Sequence, residues 1–147
     1  MKIYASLDDH IGDGIVWLRK PGLPARCVVR ITNPETKRSV FCEALQLEEN
    51  FLKRYNQPSR HTIEDSASAI VMSGWYRIHL GGLQTQQEYV LEVTVADSWC
   101  GKIRACMQHP QIVVRVAVWL GLVSVALGVF GVILGVISVW PRRGGPS

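Results

Sequence analysis

Residues 116–140 read VAVWLGLVSVALGVFGVILGVISVW, from Val116 to Trp140, without a single charge. Nineteen of these 25 residues are apolar, four are Gly and two are Ser. A bilayer core of roughly 30 Å needs about 20 helical residues at about 1.5 Å each, so the run is long enough to span one with some tilt. A domain of this size has no interior able to hide such a helix. The run divides the chain, and every other property follows the division.

Outward from it, Trp119 and Trp140 lie 21 positions apart, about 31 Å along a helix. That places one ring at each membrane interface, where amphipathic aromatics collect. Arg115 flanks one side, with Arg142 and Arg143 on the other. Pro110 suits the opening of the helix, and Pro141 stops it. We expect a soluble domain over 1–108, a membrane-spanning helix over 109–141 and a short polar tail over 142–147. Met1 leads directly to charged residues at Lys2, Asp8, Asp9 and Asp13, with no resemblance to a signal peptide. The expected arrangement is tail-anchored and single-pass, with the N-terminal domain in the cytoplasm. Basic residues on both sides of the span leave the positive-inside rule with little to decide. Cys27, Cys42, Cys100 and Cys106 are too sparse for a disulfide framework and fit a reducing compartment.

The whole chain has 147 residues, a net charge of +4 and a mean hydropathy of +0.13. That length excludes a multidomain enzyme. Residues 1–110 hold 13 Lys and Arg against 12 Asp and Glu, so they are nearly neutral. The basic balance belongs to the anchor, and nucleic acid is not an expected partner.

Order within the apolar run adds a second expectation. Ala117, Gly121, Ser124, Gly128, Gly131, Gly135 and Ser138 follow one another at spacings of 4, 3, 4, 3, 4 and 3. Small residues on one face let helix backbones approach closely in lipid. A sustained 3.5-residue period implies a left-handed supercoil. The expected partners are the lipid bilayer and a second helix, from another copy or another membrane protein.

The first 108 residues read mainly as short strands. Lys2–Ser6, Ile15–Arg19, Cys27–Thr32, Ser39–Leu47, Ala69–Met72 and Glu88–Val95 carry the strand patterns, with Asn33-Pro34 turning one into the next. Phe51, Leu52 and Tyr55 share one face of a helix over Glu48–Asn56, with Glu49 four residues ahead of Lys53. Trp75–Leu80 reads as about one helical turn closed by Gly81 and Gly82. Trp99–Met107 reads as a last strand or a connector. The fold class is mainly β, a small β-barrel with short helices, followed by one C-terminal transmembrane helix.

Ala69-Ile70-Val71-Met72-Ser73-Gly74-Trp75-Tyr76-Arg77-Ile78-His79-Leu80-Gly81, followed by Glu88-Tyr89-Val90-Leu91-Glu92-Val93, resembles the strand, short helix and strand unit of double-psi β-barrels. The N-terminal domains of valosin-containing-protein-type AAA ATPases look like this. The resemblance implies a pseudo-repeat built from Val28–Leu47 and the Glu48–Asn56 helix. Gln84-Thr85-Gln86-Gln87 stands where that family carries a Gly-Asp pair. Such barrels include binding modules and enzymes, so the fold leaves function open.

Chemistry-bearing patterns are sparse. Cys100-x5-Cys106-x2-His109 lacks the second ligand pair that structural zinc requires. Asp65-Ser66-Ala67 lacks the Gly of an aspartic-protease turn, and no Gly-Ser pair is present to yield a pyruvoyl group. We expect no catalytic, metal or cofactor site. Lys53, Arg54 and Arg60, with Trp75, Tyr76 and Arg77, have the residue types of a partner surface. The function expected is a membrane-tethered, non-enzymatic protein-binding module that associates through the Gly/Ser seam. A small membrane-bound enzyme and a pore-forming protein are the competing classes.

Overall fold

The computed structural model describes residues 1–58 and 61–139. Arg60, Trp140, Arg142 and Arg143 lie outside the described residues, as does the whole expected tail, 142–147.

Six strands form one sheet: β1 (Lys2–Ala5), β2 (Ile15–Leu18), β3 (Arg26–Asn33), β4 (Arg38–Gln46), β5 (Ala69–Met72) and β6 (Glu92–Val95). Their order across the sheet is β1-β5-β2-β4-β3-β6. The β1/β5 and β2/β4 pairs are parallel. The β2/β5, β3/β4 and β3/β6 pairs are antiparallel.

The segment leading into β6 closes the sheet. Lys2 bridges Glu88, and the Tyr89 N–H donates to the Met1 carbonyl at 3.0 Å. The Gln86 N–H donates to Ile3 at 2.8 Å, and the Ile3 N–H to Gln87 at 3.0 Å. One stretch thus bonds β1 with its first half and β3 with its second, which joins the two ends of the sheet. This is why only Glu92–Val95 of the expected Glu88–Val95 strand forms a regular ladder. Within this segment Gln86 adopts a left-handed backbone conformation, with φ 64°.

Alternation sorts the side chains into two cores. Inside the barrel lie Ile3, Val16, Leu18, Cys27, Val29, Ile31, Val40, Cys42, Ile70 and Met72. Outside β1, β5 and β2 lie Tyr4, Trp17, Ala69 and Val71. Helix α1 (Glu49–Tyr55) covers that outer face, with Phe51 stacked on Trp17 at 4.9 Å and the Tyr55 hydroxyl bonded to Ala5 at 2.7 Å. All four residues of β5 are therefore buried, because both of its faces are covered. Helix α2 (Gly74–His79) follows β5 and adds Tyr76 to the inner core, with Leu80 just beyond its end.

Trp99–Met107 is neither a strand nor a plain connector but a third helix, α3. Ser98 caps it, its hydroxyl accepting from the Gly101 N–H at 3.2 Å. The helix packs on β3 and β4. Helix α4 (Ile112–Val139) then continues for 28 residues, about 42 Å. Among the described residues it is the one helix long and apolar enough to cross a membrane, and its apolar window is 0% buried.

Candidate functional site

Two places bring chemistry-bearing residues together: the junction between barrel and helix, and a groove beside α3.

Trp75 organises the junction. Its indole N–H donates to the Gln108 carbonyl at 2.9 Å, just before α4 begins. The Arg115 guanidinium lies 4.8 Å from the Trp75 ring centroid, a cation–π contact. The His79 ring sits 4.3 Å from Trp75, and its Nδ1–H donates to the Trp75 carbonyl at 2.8 Å. On the other side of the connector, the Gln111 N–H donates to His109 Nδ1 at 3.1 Å. The proton of neutral His109 is then on Nε2, which donates to the Asp13 carbonyl at 3.3 Å. Arg115, expected at the membrane interface, and Trp75, expected on a partner surface, are thus one contact.

The rest of the expected partner surface separates. Tyr76 is a core residue: it is 1% exposed, and its hydroxyl donates to the Gly14 carbonyl at 3.0 Å. Burial pushes the Tyr76 phenol up, away from ionisation, so it presents nothing to a partner. Arg77 is half-buried, and its carbonyl accepts from Gly82 and Leu83, which closes α2. Lys53 and Arg54 are exposed on α1, and Arg54 pairs with Asp9 at 2.7 Å. Lys53 borders a shallow cavity of about 310 Å³ with Glu49, Leu52 and Asn56.

The larger cavity, about 530 Å³, runs between α3 and the β3–β4 hairpin. Cys27, Val28, Ala105 and Cys106 line its apolar part. Arg26 with Glu43 and Lys102 with Asp97 form ion pairs on its rim, the latter at 3.4 Å. Asp13 and His109 end it at the junction. Burial, with Asp97 and Glu43 nearby, pushes the Cys27 thiol up. Burial does the same to Cys42. All four cysteines are free thiols, with Cys100 exposed. Among the described residues, no three His, Cys, Asp or Glu side chains gather as a metal site. No local signal marks this groove, because its residues come from segments up to 96 positions apart and meet only through the fold.

The seam residues on α4 are all exposed, and a Cβ added at Gly121, Gly128, Gly131 or Gly135 would meet nothing within 4 Å. Trp119 is 56% exposed on the same helix.

No family model and no curated protein matches the chain. Among solved structures, the chain is similar to a rationally designed double-psi β-barrel protein, mkDPBB_sym2. The TM-score is 0.45 at 15% identity, over 65% of this chain and 94% of the designed one. The likeness is one of fold, and a weak one.

Proposed function

We propose that the protein is a membrane-tethered, non-enzymatic binding module. Its barrel takes protein partners, and its helix assembles with another helix through the Gly/Ser seam. The observation that carries this reading is α4: 28 residues, none fully buried and with an apolar window that is 0% buried, joined to the barrel at its first turns through Trp75, Gln108 and Arg115. An apolar surface of that length is costly in water and at home in lipid. Seven small residues on one helix face then favour close packing with a second helix.

Several groups of the types that serve chemistry already have structural work, which supports a binding role. Tyr76 is bonded to Gly14, His79 to Trp75 and His109 to Asp13, while Cys42 is sealed in the core. His10 is held by Asp13 at 2.6 Å and packs on Trp17. The groove beside α3, apolar within and charged along its rim, is the surface we assign to the protein partner. The free thiols favour a barrel on the cytoplasmic side.

Membrane fractionation with thiol labelling tests the reading. The full chain should stay in the membrane pellet through alkaline carbonate. The exposed Cys100 should resist a membrane-impermeant maleimide in intact cells and react after permeabilisation. Release into the carbonate supernatant would refute the tether. Labelling in intact cells would refute the cytoplasmic placement.

A further inference from the structure

We propose that the barrel does not stand off the bilayer but rests on it, through the face formed by α2 and the His10–Gly14 loop. The inference rests on α4 being the membrane span. It starts from lengths. The described helix is 28 residues, about 42 Å, whereas the hydrocarbon core is about 30 Å. With Trp119 at the top of the core, the seven residues from Ile112 to Val118 occupy the remaining 10 Å or so. Arg115 then lies one turn, about 6 Å, above the core boundary. That is inside a headgroup layer of about 5–8 Å.

Arg115 is in contact with Trp75, so the same depth applies to α2. Trp75 is itself a residue type that collects at this level. Three positions on, Ile78 is 66% exposed. Across the connector, Ile11 is 52% exposed in the loop whose Gly12 abuts the Gln111 side chain. Two exposed isoleucines therefore flank the base of the helix, beside Arg77 and Arg115. Of the acids near this face, Asp9 pairs with Arg54 and Asp13 is hydrogen-bonded to His10. The chemistry offered is apolar side chains at the acyl boundary with cations at the phosphate level, which fits a lipid surface. Continuity with the spanning helix makes the bilayer the occupant.

The test uses the full chain in phosphatidylcholine vesicles containing some phosphatidylserine and a phospholipid with a diazirine near its glycerol end. After irradiation, adducts are mapped by mass spectrometry. Adducts are expected on the first turns of α4, on α2 and on Ile11, and not on the Lys20–Ala25 loop at the far end of β2. Ile11→Glu with Ile78→Glu changes two exposed positions and leaves the barrel folded, as circular dichroism would verify. It should lower the α2 and loop adducts about tenfold while α4 adducts persist. Adducts confined to α4 would overturn the docking and leave the tether standing. Equal adducts on Lys20–Ala25, or no effect of the double variant, would also overturn it. An unlabelled α4 would overturn the tether, and the docking with it.

Discussion

Glycine does opposite work in the barrel and in the membrane helix. At Gly101 in α3, a Cβ would sit 1.8 Å from the Ala96 carbonyl oxygen, so that position admits no side chain. At Gly14, φ is +69° and a Cβ would lie 2.4 Å from the His109 ring. Both residues are required by contacts within the chain. On α4, four glycines face open space, and the fold of this chain asks for none of them. Each also costs helix stability, by about 1 kcal/mol relative to Ala. For glycines that are unfavourable locally and unused within the chain, the role we propose is the close approach of another helix in lipid.

Substitutions can break that contrast. The largest effect is expected from Gly101→Ala, which forces α3 off Ala96 and should cost the barrel about 3 kcal/mol or more. Gly128→Leu should leave barrel stability within about 0.5 kcal/mol. Chemical denaturation of both variants in detergent, followed by tryptophan fluorescence, makes the comparison. Equal losses would mean that α4 belongs to the barrel's fold after all.

The second effect sharpens the contrast through pH. Cys42 is buried, and its thiol pKa is raised above the ordinary 9.0. Above that pH the unfolded chain loses the proton and the folded barrel keeps it, so stability falls as pH rises. The loss assigned to Cys42 is about 1.4 kcal/mol at pH 10 relative to pH 8. Cys42→Ala should be less stable at neutral pH but should lose correspondingly less on alkalinisation. An unchanged pH slope in that variant would show that the thiol ionises freely in the folded state.

The smallest effect belongs to the junction. Arg115→Ala removes the cation over Trp75 and should cost about 0.5–1 kcal/mol, read by the same denaturation in detergent. A loss of several kcal/mol would make Arg115 a structural part of the barrel.

Local patterns carried the strands and helices that bury one clear face. Cys27, Val29 and Ile31 alternate with exposed or half-buried neighbours, and that alternation is legible without coordinates. Phe51, Leu52 and Tyr55 mark α1 by the same logic at helical period. What escaped local reading depends on distant contacts. Glu88–Leu91 looks like the first half of a strand until its bonds are found to cross to β1. Among Trp75, Tyr76 and Arg77, only the fold decides that one ring enters the core and the other meets Arg115. The groove beside α3 left no local trace either, because its opposing ion pairs join β3 to β4 and the end of β6 to α3.

The most direct measurement is energy transfer between full chains labelled at the exposed Cys100 and reconstituted together in lipid vesicles. The account predicts transfer well above chance proximity, persisting as the chains are diluted with lipid, and falling to the chance level in the Gly128→Leu, Gly135→Leu double variant. Transfer that disappears on lipid dilution of the unaltered chain, or that survives unchanged in the double variant, would contradict it.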